Sequence, residues 1–203
     1  MNNFEEMFVE MAKHDDAYNI FNNLLNFIIS SHCFNGTDAS VPIREYLELY
    51  RLFIGAVEEK LETHDWCDYL GEFYENIIQS KFKAGDKGQF FTAPSVCDLM
   101  TELNHTGEGV VNDPTCGSGR LLLAKHICEP ALVKIGQDLD EMACKMCVVN
   151  FLTHGVQGSV VWGDTLQGEI FKCWKVNEHL YNGVPVPHVE LVTPEEAYNW
   201  RGV

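Results

Sequence analysis

The chain has 203 residues, 46% hydrophobic and 22% charged, enough apolar material for a real core in one domain or in a domain with an appendage, and too much for a disordered chain. Its start, Met1-Asn-Asn-Phe-Glu-Glu, is acidic where a signal peptide is basic, and no apolar run approaches the roughly 20 residues that cross a bilayer, so a soluble cytoplasmic protein with no membrane partner is expected. The formal charge of −16 opposes direct contact with nucleic acid, which relies on Lys and Arg to neutralise phosphates.

That charge is uneven, because residues 1–80 carry 15 acidic and 4 basic side chains while residues 81–203 carry 15 and 10. The first 80 residues read as a helical module. Between Pro42 and Leu61, the residues Ile43, Leu47, Tyr50, Phe53, Ile54 and Val57 recur at helical spacing. Turn signals at Asn35-Gly36-Thr37-Asp38 and around Thr63-His64-Asp65 divide the module into about four helices with aromatic core faces. From Lys81 to Thr92 the texture K-F-K-A-G-D-K-G-Q-F-F-T predicts a loop that feeds a helix over Pro94–Leu103. Short apolar runs and helical runs then alternate. Strands are predicted over Gly109–Asp113, Leu132–Gly136 and Ser159–Trp162, with helices over Gly119–Ile127 and Glu141–His154. This order specifies a doubly wound parallel sheet with right-handed crossovers. Residues 81–203 are therefore expected to form an α/β domain behind the helical module of residues 1–80. The eight cysteines are read as reduced thiols. Cys144-x-x-Cys147 falls inside a predicted helix with no second Cys or His pair at zinc-ligand spacing, and no metal is expected.

The strongest chemical signal is Asp113-Pro-Thr-Cys-Gly-Ser-Gly119, set between a strand and a helix. Glycines allow a tight turn and close approach of a ligand, and free N–H groups at the helix start receive anionic groups. Asp138 ends the next strand, 21 residues beyond Gly117, where a carboxylate can hold both ribose hydroxyls of an adenosine ligand. Together they read as an adenosine-cofactor site. Leu122 stands where a dinucleotide fingerprint needs its third small residue, which disfavours nicotinamide cofactors, and no G-x-x-x-x-G-K-[ST] phosphate loop occurs.

The stretches G-Q-F-F-T, D-P-T-C-G-S-G-R-L-L-L, G-Q-D-L-D, N-F-L-T-H-G and G-D-T-L, preceded by D-Y-L-G-E-F-Y-E, together resemble the adenine-N6 DNA methyltransferases. The similarity is greatest to modification subunits of type I restriction systems and runs from Asp68 to Leu166. The resemblance implies a Rossmann-like S-adenosylmethionine-binding fold. It implies that Phe91 and Thr92 border the methionine part of the cofactor, and that Asp113, Gly117 and Gly119, with Pro114 and Thr115 in the same loop, floor its pocket. Asp138 would then bind the ribose, Leu139 would pack on the adenine, and Asp164, with Leu166 beside it, would accept from the adenine amino group. Two competing roles stay open: Asp164 capping a turn, and Thr92 capping the helix at Pro94.

In that family the next strand ends in Asn or Asp, two prolines and an aromatic residue that hold the flipped adenine. No such tetrapeptide is recognisable here. The segment V-E-L-V-T-P predicts a strand leading to Thr193 and Pro194, degenerate candidates for the catalytic position, followed by the unsuitable charge of Glu195. Two functional readings follow from the residues. One is a DNA adenine methyltransferase component, with a sheet that lacks its later strands and with partner subunits to supply target recognition and basic surface for DNA. The other is a catalytically inactive cofactor-binding protein whose acidic helical region engages another subunit. Dimerisation is expected wherever a sheet edge is left open.

Overall fold

The computed structural model describes residues 2–33, 43–82, 91–105 and 107–200. The predicted turn at Asn35–Asp38 and most of the Lys81–Thr92 loop lie outside them. The N-terminal half is helical: α1 (Asn3–Met11), α2 (Ala17–Ser31), α3 (Ile43–Leu61) and α4 (Tyr69–Phe73), which continues as a π-helical turn over Tyr74–Phe82. Polar side chains start these helices. Asn2, Asp16 and Asp68 each accept a backbone N–H at the head of α1, α2 and α4, satisfying donors that have no partner within the helix.

The buried faces follow helical spacing. Phe4 and Phe8 of α1 and Phe21 of α2 meet Phe73 of α4 in a ring cluster that Phe53 of α3 joins through Phe4, with Phe8 and Phe73 edge-on and centred 4.8 Å apart. Truncating one such fully buried ring costs about 3–5 kcal/mol, because lost transfer energy and an unfilled cavity add.

Beyond α5 (Pro94–Leu103) come β1 (Val110–Asp113), α6 (Arg120–Cys128), β2 (Val133–Asp138), α7 (Glu141–His154) and β3 (Gly158–Asp164), as the alternating pattern predicts. These three strands are parallel neighbours in the order β1-β2-β3. The all-parallel expectation fails after β3. The chain turns back through β4 (Glu169–Val176), forms a small hairpin of β5 (Leu180–Tyr181) and β6 (Val184–Pro185), and returns as β7 (Val189–Val192). Both β3·β4 and β4·β7 are antiparallel, so the five-stranded sheet β1-β2-β3-β4-β7 is mixed. A short connection can join β3 to β4 only as an antiparallel pair.

Alternation sorts the side chains of β3 and β4 to the two faces. Val160 and Trp174, paired in register, enter the main core, whereas Val161 and Cys173 meet Ala197 of α8 (Pro194–Tyr198) on the other side. Helix α7 is buried along its whole middle, Met142 to Leu152, between the sheet and α2 and α4. One core therefore runs from Phe4 through Val148 to Val189, across residue 80, where composition alone divides the chain. Among the described residues no helix is long and apolar enough to cross a membrane.

Candidate cofactor cleft

The carboxyl ends of β1 and β2 put Asp113 and Asp138 side by side, at the end of the parallel part of the sheet, where ligands of α/β proteins bind. Between β1 and α6 the backbone bends through two left-handed glycines, Gly117 (φ 56°) and Gly119 (φ 91°). Each is required for a different reason. A Cβ on Gly117 would lie 2.9 Å from the Phe91 ring, and one on Gly119 would lie 2.7 Å from Cys147 Sγ. Gly117 thus makes room at the cleft, while Gly119 lets α6 close against α7.

The bend is fastened to β2. Cys116 N–H donates to the Gln137 carbonyl (2.8 Å), and Gly117 N–H donates to Asp138 Oδ2 (2.8 Å). The other carboxylate oxygen, Oδ1, accepts from Asp140 N–H (2.9 Å). A carboxylate offers about four lone-pair sites, so two backbone donors orient Asp138 and leave acceptor capacity toward the cavity. Asp113 Oδ1 accepts from Thr115 N–H (3.1 Å). Burial raises the Asp113 pKa, the Thr115 N–H opposes that rise, and the nearby Asp138 carboxylate adds to it.

The resulting cleft holds about 380 Å³, within the range of small-ligand sites. Of the residues singled out from sequence, it brings together Phe91, Thr92, Asp113, Thr115, Gly117 and Asp138. Thr92 does not cap α5, whose N-cap is Ala93 without a side-chain bond. The others lie outside the lining. Gly119 faces Cys147, and the Pro114 carbonyl accepts from the Thr165 hydroxyl (2.8 Å), tying the loop to the end of β3. Leu139 and Leu166 are 62% and 98% exposed. Asp164 caps a turn: its Oδ1 accepts from Leu166 and Gln167 N–H at 2.9 and 3.0 Å.

Thr193 and Pro194 are placed elsewhere by the sheet order. They begin α8 at the end of β7, three strands along from β2 and so about 14 Å away at ordinary strand spacing. The Thr193 hydroxyl accepts from Glu196 N–H, while Glu196 Oε2 accepts from Thr193 N–H (2.8 Å), a reciprocal helix cap. That arrangement is a helix start with its polar groups already paired.

Sequence reasoning missed the cluster beneath the cleft. Arg120, 5% exposed, donates from Nε to Asp68 Oδ2 (2.6 Å), from Nη2 to Glu75 Oε2 (2.7 Å) and from Nη1 to the Thr92 carbonyl (3.3 Å). Its guanidinium sits 5.1 Å from the Phe91 ring centre. Asp68 also accepts from Ser118 Oγ (2.5 Å), Asn150 Nδ2 (2.7 Å) and Gly71 N–H (2.9 Å), while Glu75 Oε1 accepts from Phe91 N–H (2.8 Å). The helical module thereby grips both walls of the cleft, the Phe91–Thr92 segment and the glycine bend. Arg120 follows directly after the glycine bend in a chain with only 14 basic residues, and Asp68 lies within the D-Y-L-G-E-F-Y-E stretch; these were the available signals.

Comparison with known proteins agrees with this architecture. The pattern of the family described as N-6 DNA Methylase matches residues 66–183, from just before Asp68 to the tip of the β5–β6 hairpin, and leaves out Thr193 and Pro194. Two relatives come from Methanocaldococcus jannaschii. The type I restriction enzyme MjaVIII methylase subunit is 29% identical over 114 residues, which are 52% of this chain and 20% of that protein. The type I restriction enzyme MjaIX methylase subunit is 26% identical over 119 residues, 54% of this chain and 21% of that one. The chain thus spans about a fifth of the length of these curated relatives. With the family pattern covering more than half of its residues, the glycine bend and Asp138 included, the chain belongs to the N-6 DNA Methylase family.

Proposed function

We propose that the cleft binds S-adenosylmethionine and that the chain, in the cytoplasm, is the cofactor-holding component of a DNA adenine-N6 methylation system of the type I restriction-modification kind. The observation that carries this reading is the charge of the cleft. It presents two carboxylates, Asp113 and Asp138, while Arg120, the guanidinium in its lining, is already committed to Asp68 and Glu75. A pyrophosphate-bearing ligand such as NAD would bring negative charge to two carboxylates. A sulfonium nucleoside with an ammonium group brings positive charge, which the two carboxylates favour. The N-6 DNA methylases generally use this cofactor.

The residues fit the group. Asp138, oriented by two backbone N–H groups, accepts from the ribose hydroxyls. The desolvated Asp113 carboxyl gains from the amino group of the methionine part. Phe91 covers the bend at Gly117, where any side chain would collide with its ring. Bound there, the cofactor supplies a methyl group on a reactive sulfonium, and the work of the protein is to position it.

Target recognition lies outside this stretch in this reading. A chain of net charge −16 with no Pro-Pro dipeptide provides neither a basic surface for phosphates nor the family's adenine-holding tetrapeptide. A second reading rests on the placement of Thr193 in a helix cap away from the cleft: the chain keeps the cofactor fold but performs no transfer, and engages a partner subunit through its acidic helices. Transfer of labelled methyl from S-adenosylmethionine to unmethylated DNA, by the chain alone and with added type I modification and specificity subunits, separates the two. Incorporation that depends on this chain supports the first reading. Cofactor binding without incorporation under either condition leaves the second.

A further inference from the structure

The hairpin between β4 and β7 has an unusually well-fastened neck. Asn177, fully buried, takes a left-handed backbone (φ 56°), a conformation that residues with a side chain seldom adopt. Its own bonds compensate. Nδ2 donates to the Phe151 and Val156 carbonyls (2.9 and 3.0 Å), Oδ1 accepts from His188 N–H (3.3 Å), and the Asn177 N–H donates to the His188 carbonyl (2.9 Å). A further rung joins Val186 N–H to the His179 carbonyl (2.9 Å).

This neck sets two imidazoles against each other, His179 and His188, with ring centres 4.7 Å apart. Glu190 lies two residues beyond His188 and so on the same face of the strand. One donor atom from each of the three lies within 4.8 Å of the others. His179 is exposed, Glu190 is half-buried and His188 is 3% exposed. Lys175 stands opposite Glu190 in the β4–β7 register, but its ammonium donates to Glu178 Oε1 and the Asn199 carbonyl, both at 2.9 Å.

We propose that His179, His188 and Glu190 form a binding site for a divalent transition metal of the zinc class, clipping the two ends of the β5–β6 hairpin. Two imidazoles and one carboxylate suit zinc, cobalt, nickel or copper and not the all-oxygen ions calcium and magnesium. With metal–ligand bonds of about 2.0–2.1 Å, tetrahedral ligand atoms lie about 3.4 Å apart. The donor atoms, within 4.8 Å of one another, draw in to that separation when the metal binds, and solvent fills the fourth position. This site is independent of the cofactor cleft, at the opposite end of β4 from the turn that follows Asp164.

The test is titration of the chelator-treated full chain with cobalt and with zinc chloride. One equivalent is taken up, the cobalt spectrum shows nitrogen and oxygen ligation without a thiolate charge-transfer band, and zinc raises the melting temperature. His179→Ala, an exposed position that leaves the neck intact, and Glu190→Gln each weaken binding at least about tenfold, while S-adenosylmethionine affinity stays as it was. Absence of saturable uptake, a thiolate band that places the metal on cysteines, or unchanged affinity in either variant overturns the proposal.

Discussion

Asp138 joins structure to chemistry at the level of one side chain. Two of its acceptor sites hold the glycine bend and the start of α7, and the remainder face a cleft that already contains Asp113. Asp138→Ala removes charge-assisted bonds worth about 1.5–3 kcal/mol, so S-adenosylmethionine affinity falls roughly tenfold to a hundredfold by calorimetry. An unchanged affinity would detach Asp138 from the ligand. Thr193 gives the contrasting case. Its hydroxyl and backbone complete a reciprocal cap with Glu196, and removing such a cap costs about 1 kcal/mol. Thr193→Ala is expected to lower stability in urea denaturation by that amount, and a neutral result would contradict the capping role.

At the level of elements, the buried cluster of Asp68 and Arg120 ties α4 to α6. Asp68 is 1% exposed and accepts from four donors. Asp68→Ala would leave the Arg120 guanidinium buried with only Glu75 and a carbonyl. Breaking a buried pair from one side costs about 3–5 kcal/mol, which denaturant midpoints would register. The residues carried local signals, but their pairing was not legible from sequence, because the partners lie 52 and 82 residues from Asp68. What was legible is local: helical periodicity in α2 and α3, the long apolar run of α7, short apolar runs for β1 to β3, and the glycine bend with Asp138 one strand away. The strands β4, β5 and β6 were missed although signals existed. Glu169–Val176 is rich in aromatic and branched residues, and Asn182-Gly183 is a strong hairpin turn. The pairing of β4 is fixed by contact with β3 and β7, so the run of residues alone did not show that the sheet would become mixed.

Among the described residues, the main hydrophobic core spans the helical module and the sheet, and thermal unfolding is expected to be one cooperative transition. Two resolved transitions would separate the halves. Acid should weaken that core. Burial, helped by the charge of Lys134, holds His126 down at about 4, and burial lowers His154 as well. The unfolded chain protonates both near the ordinary value of about 6.5. The stability that these two neutral histidines contribute is therefore complete above about 6.5 and declines as pH falls toward 4. A melting temperature that drops by a few degrees from pH 7 to pH 5 fits this, and a flat profile contradicts it.

The claim on which the account turns is that two carboxylates beside a glycine bend select a sulfonium nucleoside. Its most direct test is calorimetric titration of the chain with S-adenosylmethionine and with NAD, at one ionic strength, for the wild type and Asp138→Ala. Saturable binding of S-adenosylmethionine alone, weakened by the substitution, is the result predicted. Binding of NAD, or of neither ligand, would contradict the assignment of the cleft.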